Sequence, residues 1–343
     1  MKRVSSAPSA AGGLGAPSRL GVDRYSVILV AVAATMWATD AYFRNQLVKH
    51  LSSPEIVVAE DGLVMLFLLP VLYRNRRDLA FLGARGWLAV ATIAAGAQAL
   101  ATILFTASFS IAAQHQLFAE TFVLQQTQPL IAIVLAWIVL GERRRRWFWP
   151  AAVLAIAAVY MVLFASDPLS PVSALRNGRL EVGLLALGAA ALWGSGTVLG
   201  RFALGSISFW SMTALRFTLA FPVLVVVVLA QSGVRGFGHY TVSDFLPNLL
   251  AIAIVPGLLA LLLYYRALSK TPASLATIAE MAYPVAATLI ASAPPPWGFN
   301  QPLYALQIVG TVLLMGVIVV LNWSKETAAP VVVAPGGLKP VEG

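Results

Sequence analysis

The sequence predicts an all-α membrane protein in which ten transmembrane helices form two inverted five-helix repeats. Three observations lead to this fold class. The 343 residues are 59% apolar and only 11% charged, whereas about a quarter of an ordinary globular domain is charged. The apolar residues fall into ten long segments, and motifs in the first half of the chain return in the same order in the second half.

Ten segments are long enough to cross a bilayer, because a hydrocarbon core of about 30 Å requires about 20 apolar residues in a helix. Charged connectors and connectors with Pro or Gly separate the segments, which are 26–47, 54–73, 86–108, 114–140, 147–165, 180–200, 208–231, 245–266, 273–292 and 303–323. The repeats are predicted at 25–165 and 166–323. The ends, 1–24 and 324–343, lack apolar periodicity and are predicted to be disordered tails.

Basic residues predict the orientation, because Lys and Arg concentrate in cytoplasmic connectors. With the N-terminus inside, 17 of them lie in inside segments, including the arginine run 143–146. Five lie in outside connectors, among them Arg44, and Arg216 remains within a span. Both termini are therefore predicted to be cytoplasmic. Lys2 and Arg3 do not precede an apolar stretch, so a cleavable signal peptide is not expected.

The two halves share a pattern of residues. Trp37 in "ATMWATDAYF" corresponds to Trp193 in "AALWGSGTVL", 156 residues later, and the same shift relates Glu60 to Arg216. Because five spans per repeat is an odd number, the second repeat must enter the membrane from the opposite side. Inverted repeats of this kind are the basis of alternating access in many secondary transporters.

Three motifs give the chain a resemblance to the EamA family of the drug/metabolite transporter superfamily. Repeats of that family carry Trp-Gly in the first helix, Arg-Phe in the second, and a proline, an apolar run and Leu-Gly-Glu in the fourth. The matching residues are Trp193-Gly194, Arg216-Phe217 and "QPLIAIVLAWIVLGE" at 128–142. The first repeat departs from the pattern at Ala38 and Glu60, and the second has "ASAPPPWG" in place of Leu-Gly-Glu.

The resemblance extends from about residue 25 to residue 323 and implies both a fold and a function. The implied fold is a basket of ten helices. Helices one, three, four, six, eight and nine surround a central cavity, and helices five and ten are peripheral. The implied function is transport.

Acidic residues within the spans are the first candidates for a site, since a charge in the membrane needs a partner or a water-filled cavity. Glu120 shares one side of the fourth helix with Thr127 and Gln128, and we expect the three to line one wall of the cavity. In the alternative interpretation the amides join neighbouring helices and Glu120 lies in the outer headgroup region.

The ninth span repeats the pattern of an acid followed by a proline. If this span begins at residue 273, Glu280 lies about 10 Å along the helix axis, with Tyr283 one turn further on. That depth predicts that Glu280 faces the cavity and gains and loses a proton during transport. The alternative is a structural hydrogen bond from Glu280 to a neighbouring helix.

Charged pairs are predicted among the remaining intramembrane residues. Asp40 and Arg44 are four residues apart and can pair on their own helix, which leaves Asp40 either a structural residue or a site residue. Glu60 and Arg216 hold corresponding positions with opposite charge, which predicts an ion pair or a gate. Asp61 is a second possible partner for Arg216, and a carboxylate of the substrate is the alternative.

Aromatic residues are predicted to contribute to the cavity walls. Trp37 and Trp193 are expected there, because the face of a ring binds a cation or stacks on a planar ligand. Tyr264 and Tyr265 approach the cytoplasmic edge and are expected in the interfacial aromatic belt.

Missing motifs argue against other classes of function. The chain has no cysteine and three histidines, and it lacks the His-Glu-x-x-His, Gly-x-Ser-x-Gly and phosphate-loop patterns. We therefore expect no catalytic residue, no metal site and no cofactor. The net charge of +9 comes from short connectors between spans, so lipid rather than nucleic acid is the expected partner.

Together these features predict an inner-membrane secondary transporter that exports a small organic metabolite such as an amino acid or amine. Five intramembrane acids against one arginine favour a cationic or zwitterionic solute, or proton coupling. The alternatives are a multidrug or nucleotide-sugar-type carrier, and a membrane binding or regulatory protein that transports nothing. A small-molecule substrate and the bilayer are the expected partners, and a homodimer is an open alternative.

Overall fold

The computed structural model describes residues 24–128, 130–132, 134–135, 148–166, 168, 178–203, 206–241, 245–268, 279–280 and 282–323. Within these ranges all regular secondary structure is helical, which confirms an all-α protein. Apart from residue 24, the two predicted tails lie outside the described residues, as does the arginine run 143–146.

Seven α-helices are given bounds among the described residues of the first half of the chain. They are α1 (Arg24–Ala38), α2 (Asp40–Leu47), α3 (Ser53–Arg74), α4 (Ala84–Thr92), α5 (Ala101–His115), α6 (Phe118–Gln125) and α7 (Phe148–Leu163). The fourth predicted span continues beyond α6 through helical residues 128, 130–132 and 134–135.

Six α-helices are given bounds within the part of the second half that the structure describes. They are α8 (Arg179–Ala203), α9 (Phe209–Ser232), α10 (Leu246–Ile252), α11 (Ala260–Leu268), α12 (Ala282–Ser292) and α13 (Ala305–Trp323). The described helices fall within the predicted spans to within a few residues, except that the third extends to residue 115. The predicted start of the ninth span, near residue 273, lies outside the described residues.

Local sequence explains several helix boundaries. Pro54 lies in the first turn of α3, where its missing N–H costs no hydrogen bond. The Glu55 carboxylate accepts a 2.9 Å hydrogen bond from the backbone N–H of Ser52, just before α3 begins. The helix α5 ends at Gln116, whose φ of 59° is in the left-handed region typical of helix C-termini.

The start of α9 is joined to the connection that follows α3. Ser208 caps α9, because its hydroxyl accepts a hydrogen bond from the N–H of Ser211 at 3.3 Å. The hydroxyls of Ser208 and Ser211 donate to the Asp78 carboxylate at 2.6 and 2.7 Å. These two donors hold the pKa of Asp78 below its ordinary value. The contact fastens the two halves of the chain together at one end of the helices.

The outer surface of the helices is apolar. Five described stretches are long and apolar enough to cross a membrane, namely Ser53–Arg74, Ala84–His115, Arg179–Gly200, Phe209–Ser232 and Leu246–Tyr264. Large side chains such as Leu88 and Ile156, each 70% exposed, point outward. Acyl chains can cover such a surface, whereas water would leave it unfavourably exposed. The chain is therefore a multi-pass membrane protein.

Helices at corresponding positions of the two halves make corresponding contacts, each with helices of the other half. The helix α1 packs against α11 and α12, and its counterpart α8 packs against α5 and α6. The pairs α3 with α9, α6 with α12, and α7 with α13 each join helices at corresponding positions of the two halves. A two-fold relation between two five-helix units would produce this pattern of contacts.

A π-helical segment interrupts the third long helix of each half. Ile93–Leu100 joins α4 to α5, and Ala253–Leu259 joins α10 to α11. Pro256 lies within the second segment, where it cannot donate the usual backbone hydrogen bond. Such wide turns are often found at functional sites, and both segments contribute to the cavity described next.

Candidate functional site

A cavity of about 530 Å³ lies between helices of the two halves. Cavities of this size bind small organic molecules. Eight of the predicted site residues line it, and they come from both halves of the chain: Trp37, Asp40, Glu60, Gln128, Trp193, Arg216, Glu280 and Tyr283. Asp61, Glu120 and Thr127 are not among the lining residues.

Arg44 is the centre of a buried charge cluster at the cavity wall. Its guanidinium forms two hydrogen bonds to the Asp40 carboxylate, at 2.6 and 2.7 Å, which confirms the predicted pair on α2. A third bond, of 2.8 Å, reaches Glu60 on α3, and a fourth, of 2.7 Å, reaches the hydroxyl of Thr106 on α5. One arginine therefore joins three helices and balances two carboxylates.

The predicted ion pair or gate between Glu60 and Arg216 does not form in this conformation, and a gate that forms in another conformation stays a prediction. Glu60 is held by Arg44 instead, because α2 places that guanidinium inside the molecule rather than in an outside connector. Arg216 lines the cavity with its Cζ 5.8 Å from the centre of the Phe217 ring. Among the described residues, its buried Nε has no hydrogen-bond partner.

Asp61 lies behind the cavity wall. It is fully buried on α3, and one carboxylate oxygen accepts a 2.9 Å hydrogen bond from the amide of Gln98, which lines the cavity. The other carboxylate oxygen has no hydrogen-bond partner among the described residues. Asp61 and Arg216 are near enough to interact electrostatically, but no ion pair within 4.0 Å joins them.

Glu280 lines the cavity, as the ninth-span pattern predicts. The hydroxyl of Tyr264 on α11 donates a 2.5 Å hydrogen bond to its carboxylate. The Tyr264 ring also packs against Trp37 of α1, with ring centres 5.0 Å apart. The expected place of Tyr264 in an interfacial belt is therefore corrected, because this side chain belongs to the cavity.

Rings and amides form most of the remaining wall. Trp193 packs against Phe105 with ring centres 5.5 Å apart, and both line the cavity. The amides of Gln125 and Gln128 are joined by a 3.2 Å hydrogen bond, and Gln126 lies beside them. A solute in this cavity would meet flat apolar surfaces together with amide donors and acceptors.

Glu120 and Thr127 do not share a wall with Gln128, so that prediction is wrong. Glu120 is 1% exposed at the start of α6, where its carboxylate accepts a 2.9 Å hydrogen bond from the Gln301 amide. Gln301 in turn accepts from the N–H of Ala119. The hydroxyl of Thr127 donates to the carbonyl of Leu124 in its own helix. The backbone turns at residues 126 and 127, so the three side chains no longer follow one helical face.

The two ends of the cavity differ. At one end Phe105 packs against the fully buried Phe109, which contacts Phe118 with ring centres 5.1 Å apart. Phe118 stacks on Phe299 at 4.1 Å. At the other end the lining reaches Gly200, near the C-terminal end of α8. Stacked rings therefore close one end of the cavity, and its lining continues towards the other.

Several site residues were not predicted from the sequence. The sequence places Arg44 in an outside connector, and only its spacing from Asp40 predicts a pair, on the surface of their own helix. Gln98 and Phe105 carry no motif, because a single polar residue or ring in an apolar helix gives no sign of the direction it faces. Among the described residues, no group of three or more His, Asp or Glu side chains could hold a metal ion.

The fold and the cavity together define a class, that of helical membrane proteins with a solute-sized cavity lined by charged, amide and aromatic side chains. The chain belongs to the EamA-like transporter family, whose model matches residues 24–164 and again residues 182–323. It is therefore a transporter, and the two matched segments are the two halves described above.

Two related sequences carry transporter names. The riboflavin transporter ImpX of Fusobacterium nucleatum subsp. nucleatum (strain ATCC 23726 / VPI 4351) is 28% identical over 264 residues, which cover 76% of this chain and 87% of the relative. The uncharacterized transporter YwfM of Bacillus subtilis (strain 168) is 28% identical over 170 residues, or 47% of this chain and 51% of the relative.

A solved crystal structure has a similar fold. It matches 89% of this chain and 99% of its own length with a TM-score of 0.55, at 16% sequence identity. A likeness at so low an identity concerns the fold and not the solute.

Proposed function

We propose that this protein is a secondary transporter of the inner membrane that exports a small organic metabolite, such as an amino acid or amine. The cavity contributed by both halves supports the proposal most directly, because it holds three carboxylates and two guanidinium groups inside an apolar chain. Charges at such a depth in the membrane cost free energy, so their presence indicates a function.

Alternating access would follow from the two five-helix units. The corresponding helix contacts of the two halves support a two-fold relation, and the cavity lies where the units meet. Rings close the cavity at the Phe109 and Phe118 end, whereas its lining extends to Gly200 at the other end. We infer that the present conformation faces the side of the α8–α9 connection, which the sequence predicts to be cytoplasmic.

The positions of the connectors support this orientation. Residues from three predicted outside connectors, namely Lys49, Ala113 and Pro295, line one surface cavity of about 660 Å³. At the other end, Asp78 comes from a predicted inside connector and accepts a hydrogen bond from Ser208, the first residue of the seventh predicted span. In a chain that crosses the membrane once in each predicted span, the first set lies at one face of the membrane and the second set lies at the opposite face.

The homodimer remains an open proposal.

Glu280 is our candidate for proton coupling. Its carboxylate is held by Tyr264 in the cavity, and the ring of Tyr264 packs on Trp37. Gain or loss of a proton on Glu280 would change this hydrogen bond, and with it the contact between α11 and the ninth span. The site thereby connects protonation to the relative position of helices.

A flavin is the second candidate solute. The relative named as a riboflavin transporter supports it, as do the rings of Trp193 and Phe105 and the glutamine amides in the wall. A planar heterocycle with carbonyl and N–H groups would stack on such rings and bond to such amides.

Reconstitution in liposomes tests the proposal. We expect purified wild-type protein to exchange or accumulate at least one solute from a panel of amino acids, amines and riboflavin, measured as uptake of labelled solute with and without a pH gradient. Glu280→Gln should lose gradient-driven uptake, because the amide cannot carry the proton.

A matched control is Glu181→Gln, since Glu181 is exposed in the first turn of α8 and does not line the cavity. The control should transport as well as wild type. Unchanged uptake by Glu280→Gln would remove Glu280 from the mechanism, and a wild-type protein that moves no solute of the panel would contradict the proposed function.

A further inference from the structure

Arg216 differs from Arg44, the other arginine of the cavity, because no carboxylate forms an ion pair with it among the described residues. The described cations that line the cavity are Arg44 and Arg216. Arg44 is balanced by Asp40 and Glu60. Arg216 has no ion pair among the described residues, and its buried Nε has no hydrogen-bond partner there. A guanidinium that points into a cavity without a counter-ion is a binding group for an anion.

The surroundings of Arg216 would orient such an anion. The guanidinium lies 5.8 Å from the Phe217 ring centre on the same helix. The Gln98 amide lines the cavity from the facing π-helical segment, which packs against α9. A carboxylate is planar and accepts two parallel hydrogen bonds from arginine, so it matches the free guanidinium better than a neutral carbonyl group does.

Asp61 is the group that would compete with the anion. It has one carboxylate oxygen without a partner among the described residues, and it is held by Gln98 at the edge of the cavity. The charged groups that interact with it are Glu60 on its own helix, Arg216 on α9 and Arg44 on α2. Arg44 is already occupied by Asp40 and Glu60, so Arg216 is the cation available to Asp61.

We propose that Arg216 is the carboxylate-binding subsite of the cavity and that Asp61 and the solute compete for this one guanidinium. The inference rests on the proposed function, because it treats the cavity as the path of the solute. A proton on Asp61 removes the competing negative charge, so protonation and anion binding favour each other. By linkage the coupling is reciprocal, and binding of the carboxylate draws a proton onto Asp61.

Benzoate and benzamide test the subsite, because they have the same shape and differ in charge. Calorimetric titration of the full-length protein in detergent should show that benzoate binds about tenfold or more tightly than benzamide. Arg216→Gln should remove this preference, whereas Arg216→Lys should retain part of it. The control Arg235→Gln changes an exposed arginine outside the cavity and should behave as wild type.

The same titration tests the role of Asp61. Repeating it in two buffers of different ionisation enthalpy counts the protons taken up with benzoate. Wild type should take up protons at some value between about pH 5 and about pH 8, and Asp61→Asn should bind benzoate without taking up protons. Thermal unfolding of each variant confirms that it is folded.

Three results would overturn the inference. They are equal binding of benzoate and benzamide, an Arg216→Gln protein that binds benzoate as wild type does, and a wild type that takes up no proton across this pH range. The proposed function fails separately, through the liposome measurement. If transport occurs and benzoate is not preferred, the inference alone is wrong.

Discussion

Arg44 shows how one side chain determines the shape of the cavity wall. It is 2% exposed and contacts α2, α3 and α5 through Asp40, Glu60 and Thr106. Removing one member of a buried charge cluster leaves its partners without compensation, which costs more than the pair contributes. The two carboxylates would then repel each other across the junction of α2 and α3.

We predict that Arg44→Gln lowers the free energy of unfolding by about 3 kcal/mol, measured as a lower thermal unfolding temperature in detergent. Lys49→Gln is the matched control, because Lys49 is an exposed cation just after the same helix, where its ammonium donates a hydrogen bond to Gln46. Arg44→Gln combined with Glu60→Gln should recover part of the loss. A single Arg44→Gln variant as stable as wild type would show that the cluster does not hold these helices together.

The sequence identified many residues of the site but few of their contacts. Glu280 and Trp193 could be found, because an acid or a Trp in an apolar span stands out against its neighbours. The pair of Asp40 with Arg44 followed from helical spacing. The partner of Glu60 did not, because its position depends on how α2 turns after Thr39, and no local pattern encodes that turn.

Glycines in α8 allow it to approach the first π-helical segment closely. A Cβ placed on Gly196 would lie 2.5 Å from the Cβ of Ala97. Neither atom belongs to a flexible side chain, so the backbones themselves would have to separate. Gly200 lies one turn further along α8 and also lines the cavity, but a Cβ there would meet nothing within 4 Å.

These two glycines give a controlled prediction about helix packing. In a helix, Ala is favoured over Gly by about 1 kcal/mol, so Gly200→Ala should unfold at the same temperature as wild type or higher. Gly196→Ala should unfold at a lower temperature, because overpacking costs about 1 to 3 kcal/mol. If both variants unfold alike, α8 and the π-helical segment are not packed as closely as described.

Helices were easier to predict than their interruptions. Apolar length and charged connectors locate most of the described spans to within a few residues, because insertion in a bilayer requires about the same length each time. The break between α1 and α2 and the segment Ile93–Leu100 contain no proline, so nothing in the sequence separates them from regular helix. Both interruptions contribute residues to the cavity, among them Asp40 and Gln98.

The whole molecule is best understood as two related units with a polar chamber between them. The family model matches the chain twice, and corresponding helices of the two halves make corresponding contacts with the other half. The common order of motifs in the two halves, such as Trp37 with Trp193, indicated such a repeat. It could not show which residues meet at the junction, because that depends on packing between segments more than 100 residues apart in the sequence.

We expect this chamber to contain water although it lies within the membrane. The chain has no native cysteine, so a single introduced thiol can report on it. Thr102 lines the cavity near the middle of the Ala84–His115 stretch, and Leu100, two residues away, is 47% exposed on the outer surface. The two positions lie at nearly the same depth on the same helix.

The most direct test is labelling of Thr102→Cys and Leu100→Cys, in protein reconstituted in liposomes, with a charged thiol reagent that does not cross membranes. We predict that Thr102→Cys reacts and that Leu100→Cys does not, because a charged reagent reaches a thiol through water and not through acyl chains. If Leu100→Cys reacts and Thr102→Cys does not, or if neither reacts from either side of the membrane, the chamber is not open to water and the account is wrong.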